Sequence, residues 1–173
     1  MTRAYRRYWP LTVSGGVWFA AISAALTGIC LVAAILISEG GAGYIDRIAT
    51  GPVPYLFGLA ALVLLLVGLV RGRTRALFRD PRSLVGLAAG VAVVIAVAVA
   101  VNSISPYQDC GPGGNLVSIG SGHGVESRSG IQLISEQEFH SYLACGGVHS
   151  WLQAFVAVGV ALAAQISAMI ARS

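Results

Sequence analysis

No lysine occurs in this chain, and charged residues of any kind make up 10% of its 173 residues. Their scarcity is organised. Nothing from Tyr8 to Ser38 carries a charge, nor from Ile48 to Val70, nor from Ser83 to Gln108, nor, His140 and His149 aside, from Phe139 to Ala171. Soluble domains carry a charge at about every fourth residue, so an ordinary water-facing surface is excluded. Each uncharged run is longer than the ~20 helical residues that cross a ~30 Å hydrocarbon core. With 56% hydrophobic residues and a mean hydropathy of +0.78, the expected solvent is the bilayer.

Other absences narrow the architecture. The apolar runs show no two-residue alternation, which excludes a lipid-facing barrel and leaves helices. Pro52 and Pro54 stand at the entry to the second apolar span and Pro106 follows the third, so no proline interrupts the interior of either one. The expectation is an all-α integral membrane protein forming one domain over 1–173. Four spans near 13–37, 54–70, 84–101 and 151–171 form its bundle, and a small disulfide-closed extracytoplasmic cap lies between the third and fourth. The first apolar stretch is too long for a signal-peptide core and no clear A-x-A site closes it, so it is read as a retained helix. No Asp, Glu, Lys or Arg lies within a membrane core, and such groups are the usual mark of proton relays and ion pathways.

All 11 basic residues are arginine, and their placement is one-sided. Arg3, Arg6 and Arg7 precede the first span, Arg71, Arg73, Arg75, Arg79 and Arg82 fill the loop 71–83, and Arg172 follows the last span. The positive-inside rule assigns these to the cytoplasm, with both termini. Only Asp80 accompanies them, while Glu39, Asp46, Asp109, Glu126, Glu136 and Glu138 fall with Arg47 and Arg128 in the extracytoplasmic loops 38–53 and 102–150. The pI near 9.3 is then a topology signal that needs no nucleic-acid partner. The arginines of 71–83 lie where anionic head groups attract juxtamembrane cations at about 1 kcal/mol each. A bacterial inner membrane is the expected location.

Small residues suggest how the helices meet. Gly86-x-x-x-Gly90 in the third span, followed by Ala92, Ala96, Ala98 and Ala100, lets backbones approach closely. That span is expected at the centre of the bundle or at a dimer contact. Gln153 and Gln165 are read as interhelical hydrogen-bond partners. Trp151, with Tyr44, Tyr55 and Tyr107, fits an outer aromatic belt.

The loop 102–150 is where a function can be housed. LVSI, GVESR and IQLI, separated by Gly/Ser turns, predict a small hairpin or meander. Ser135-Glu-Gln-Glu138 matches a capping box, predicting a short helix over 136–145 that stops at Gly146-Gly147 before the chain reverses into the last span. This helix presents Phe139, Tyr142 and Leu143 as a candidate partner-binding face. Cys110 and Cys145 stand at the two ends of the cap on the oxidising side, where a disulfide is expected and a closed loop of this length is worth about 2–4 kcal/mol. Cys30 lies among apolar residues of the first span and is read as inert.

Two chemical readings compete. Four spans with exported cysteines are similar in layout to membrane thiol oxidases, but their Cys-x-x-Cys pair is missing, as is the Cys-Cys-Gly of tetraspanins. His123, His140 and His149 are exported, and Cys145-x-x-x-His149 is a tolerable metal-ligand spacing; the histidines are otherwise read as interfacial, His149 beside Trp151 in particular. No catalytic, cofactor or metal residues are assigned and no cofactor is expected. The expected function is that of a non-catalytic accessory, assembly or interaction subunit that meets a membrane-protein partner, or a second copy, through loop 102–150. A small oligomeric transporter or channel and a membrane thiol/disulfide redox protein are the alternatives.

Overall fold

The computed structural model describes residues 9–39, 52–70, 80–107, 110–111, 115–120 and 122–170. It is mostly helical, with a small three-stranded sheet. In chain order the elements are α1 (Trp9–Ser38), α2 (Val53–Val70), α3 (Pro81–Ile104), β1 (Asn115–Ile119), β2 (Gly122–Ser127), β3 (Gly130–Ile134) and α4 (Glu136–Ile170). Three of the helices, α1, α3 and α4, are long and apolar enough to cross a membrane; α2 is apolar and shorter. Arg71, Arg73, Arg75 and Arg79 lie outside the described residues.

The end of the arginine loop is more ordered than expected. Helix α3 begins at Pro81, three residues before the expected start, because Asp80 caps it. The Asp80 carboxylate accepts from the Arg82 backbone N–H at 3.2 Å and from Ser83 Oγ at 3.0 Å. Proline suits the first helical position, where its missing N–H has no partner to lose. Arg82 is therefore in the first turn of α3 rather than in a loop.

The central helix is α4, not α3. Each of the first three helices packs along α4, while α1 and α2 touch only lightly. From α1 come Ser23, Cys30, Ala34 and Ile37, a helical stripe that is buried throughout. Ala61 of α2 packs with Val158 and Ala161, flanked by Phe57 and Leu65. Helix α3 gives a narrow seam and turns Val85, Val93, Ile95 and Val99 outward. Its glycines are used on that seam: a methyl group at Gly90 would stand 2.8 Å from Ala163 Cβ, and one at Gly86 3.4 Å from Ser167 Oγ. Gly159 answers from α4, where an added Cβ would meet Val94 at 2.8 Å. Ala92, Ala96 and Ala100 remain exposed, so small residues alone did not identify the hub.

Polar groups within the bundle are few. Ser23 Oγ donates to Gln165 Oε1 across α1 and α4 at 3.2 Å, a contact worth about 0.6 kcal/mol in lipid. Gln153 instead lies exposed. Trp151 is not an interfacial anchor: it is 2% exposed and meets Phe57 edge-on at 5.4 Å.

The largest departure is at Gly146-Gly147, where helix α4 runs on without a stop. Two glycines inside a helix cost about 1 kcal/mol each relative to alanine. Ala144, Val148, Trp151, Leu152 and Phe155 form one apolar stripe across them, packed with Cys30, Ala34, Ile37 and Val101. Side chains also return to this turn: Ser150 Oγ donates to the Gly146 carbonyl at 2.9 Å, and His149 Nδ1 lies 3.0 Å from the Cys145 carbonyl. Burial and these i to i−4 contacts outweigh the local glycine cost, and the expected reversal at Val148-His149-Ser150 does not occur.

Candidate functional site

The polar segment between α3 and the apolar part of α4 is built on the first four turns of α4. Its N-terminus carries the expected capping box in full: the Ser135 backbone N–H and Oγ donate to Glu138 Oε2 at 2.9 and 2.7 Å, and the Glu138 N–H donates to Ser135 Oγ at 3.2 Å. These bonds, the backbone one first, hold the Glu138 carboxyl below its ordinary value of 4.5. Both Glu136 and Glu138 sit in the first turn, where the helix dipole favours anions.

The three strands form an antiparallel meander in the order β1-β2-β3. Ile119 pairs with Gly122, and Gly120, next after Ile119, has φ of 61°; that left-handed conformation favours glycine. Register divides the sheet into two faces. Leu116, His123, Val125 and Ile134 share one face, which turns toward α4: Val125 is buried, and the His123 ring stacks on Phe139 with centroids 4.0 Å apart. Asn115, Val117, Ile119, Glu126, Ile131 and Leu133 share the other. On this outward face Ile131 and Leu133 are 54% and 73% exposed.

The expected partner-binding residues are thus partly occupied within the chain. Phe139 stacks on His123, and the Tyr142 ring closes on Gly111, where an added Cβ would stand 2.9 Å from it. Gly111 has φ of 83°, a second reason for glycine there. Leu143 is half-buried. The strand residues that stand free on the outward face are the ones sequence reasoning did not single out; the alternation V-S-I and I-Q-L carried the signal.

At the base of the cap Cys110 and Cys145 form a disulfide, their Cα atoms 5.2 Å apart. Cys145 is fully buried in α4, whereas Cys110 is exposed. His149, one turn after Cys145, places Nδ1 3.5 Å from Cys110 Sγ and 3.7 Å from Cys145 Sγ. The carbonyl of Cys145 can only accept, so its 3.0 Å contact assigns the proton to Nδ1. That N–H is shared between the carbonyl and the two sulfurs.

The histidines are not brought together. His123 is in the sheet, His140 lies 3.8 Å from Glu136 on the helix surface, and His149 is at the disulfide. Cys110, Cys145 and His149 do converge, with their ligand atoms within 4.8 Å of one another. Zinc and copper ligation needs thiolates, and in the disulfide neither sulfur is one. Cys30 is buried among α1 and α4 residues and takes no part.

Comparison with protein-family models, with curated proteins and with solved structures finds no match to this chain.

Proposed function

We propose that the chain is a four-span membrane protein whose extracytoplasmic cap docks another membrane protein, acting as a non-catalytic accessory or assembly subunit. In this reading α1, α2, α3 and the second half of α4 cross a bacterial inner membrane. The arginines, Arg71, Arg73, Arg75, Arg79 and Arg82 among them, mark the cytoplasmic side, and α2 spans with little tilt through its Leu- and Val-dense core.

The observation that carries the reading is the outward face of the sheet. Isolated three-stranded sheets need a covered apolar face for stability; this one has covered one face and left Ile119, Ile131 and Leu133 exposed on the other. Strand β3 is also an edge, and among the described residues no strand pairs with its outer side. Free edges recruit added strands. The occupant that fits is an extended exported segment of the partner, apolar on one side and basic at its flank, since Glu126 stands opposite Ile131 on the same face and six of the eight charges assigned outside are acidic. Burying Leu133 would contribute about 1.5–3 kcal/mol.

Cross-linking from a photoreactive side chain at position 133 in native membranes, followed by mass spectrometry, tests this. A single stoichiometric partner, lost at least tenfold in Leu133→Glu while the protein stays inserted, is the supporting result. A homogeneous preparation with no second polypeptide at that position refutes it. The transporter alternative gains nothing from Gly86, Gly90 and Gly159, which are spent on the α3–α4 seam within one chain.

A further inference from the structure

Thiol–disulfide exchange requires an accessible sulfur for in-line attack, a leaving sulfur whose thiolate is stabilised, and a route for the proton. The base of the cap offers an exposed cysteine for attack and an imidazole N–H beside both sulfurs as a proton source. Cys110 is exposed and Cys145 is fully buried, so the two sulfurs are not equivalent to a nucleophile arriving from solvent. The His149 Nδ1–H stands within 3.7 Å of both, and His149 is an exposed residue. A disulfide that served only as a staple would need neither the asymmetry nor the imidazole. The position of His149 on α4, one turn from Cys145, fixes the ring against the sulfurs through the Cys145 carbonyl.

We propose that Cys110–Cys145 is an exchange-active disulfide, reduced by an external dithiol that attacks Cys110, with His149 as the catalytic acid for the departing Cys145 sulfur. One thiolate of the dithiol forms a bond to Cys110 Sγ as the Cys110–Cys145 bond breaks, and the electron pair leaves on Cys145 Sγ. Protonated His149 gives its Nδ1 proton to that thiolate and becomes the neutral imidazole. The second thiol of the reductant then attacks its own sulfur in the mixed disulfide, releasing Cys110 and passing on its proton. The dithiol is oxidised by two electrons to a disulfide, and the protein gains two thiols. Run backwards, the same steps reduce a partner's disulfide to a dithiol and re-form the Cys110–Cys145 bond.

This chemistry and docking on β3 use different residues, so either can fail without the other. The test uses the full chain in detergent micelles with a chelator present. Glutathione is the monothiol probe, with rapid alkylation and peptide mapping, and dithiothreitol is the dithiol probe for rates. The expected adduct is glutathione on Cys110, with Cys145 alkylated. Dithiothreitol should reduce the folded protein, and His149→Phe should slow this by about tenfold or more, in keeping with general-acid contributions. His149→Gln, which keeps a polar N–H donor without a transferable proton, should be slowed similarly. An adduct on Cys145, or one split evenly, overturns the direction of attack. Wild-type rates in both His149 variants overturn its role, and a disulfide that reduces only after denaturation overturns the proposal outright. The adduct position is read on the native chain, so it stands even where a variant fails to fold.

Discussion

The two halves of α4 are one helix held in two different ways. From Trp151 onward it is gripped by three neighbours, with Ala154, Phe155, Val158, Gly159, Ala161, Ala163, Ala164 and Ala168 all buried. Over residues 136–143 it is held by a capping box, one ring stack and one sheet, with the disulfide at Cys145 just below them. On the four-span reading proposed above, no water drives apolar groups together around the lower half, which then depends on fit between surfaces. The upper half has little core and depends on a few directional or covalent links.

The largest expected effect attacks the lower half. Trp151→Ala removes the ring that fills the space against Phe57 and should cost about 3 kcal/mol, the low end for such truncations because in lipid only the lost contacts count. Unfolding by a denaturing detergent titrated into mixed micelles measures it, and a change below about 1 kcal/mol would contradict the packing described. Gly90→Leu should follow at about 1–3 kcal/mol, since even a Cβ meets Ala163 at 2.8 Å. Disulfide cross-linking between cysteines placed along α3 and α4 should show the two helices parting. Unchanged cross-linking would mean that the seam gives way more easily than its spacing implies.

The smallest effect sharpens the contrast from above. Ser135→Ala should weaken the first turn of α4 by about 1 kcal/mol and leave the membrane half untouched. Because the folded-state pKa of Glu138 lies below 4.5, its capping contribution is complete above that value and is lost as the pH falls through the lowered one. The Glu138 carboxyl resonance followed by NMR should titrate below 4.5, and its midpoint should rise toward 4.5 in Ser135→Ala. A native midpoint at or above 4.5 contradicts the cap.

Much of the local structure was legible because single residues decide it. Uncharged runs located the helices, alternation located the strands, Ser135-x-x-Glu138 located the start of α4, and two cysteines at the ends of one exported loop identified the disulfide. What was not legible depended on neighbours. Gly146-Gly147 is a sound local stop, and only the stripe from Ala144 through Phe155, packed on α1 and α3, overrules it. Gly86 and Gly90 identified a close approach but not which helix was the hub. Trp151 beside the exported loop read as a surface anchor until Phe57 came against it. His149 showed a spacing to Cys145; its distance to Cys110, on a separate segment, exists only once the chain is closed. Asp80-Pro81 was a readable helix start that the arginines around it obscured.

The unbroken course of α4 has a mechanical consequence. At 1.5 Å per residue, its 35 residues make a rod of about 52 Å, well beyond the ~30 Å of a hydrocarbon core. The cap is therefore mounted on a stiff mast rather than tethered by string. A sideways push on the sheet is delivered as torque to the three helices that grip the lower end, and a rotation of α4 within the bundle sweeps Leu133 and Cys110 along an arc.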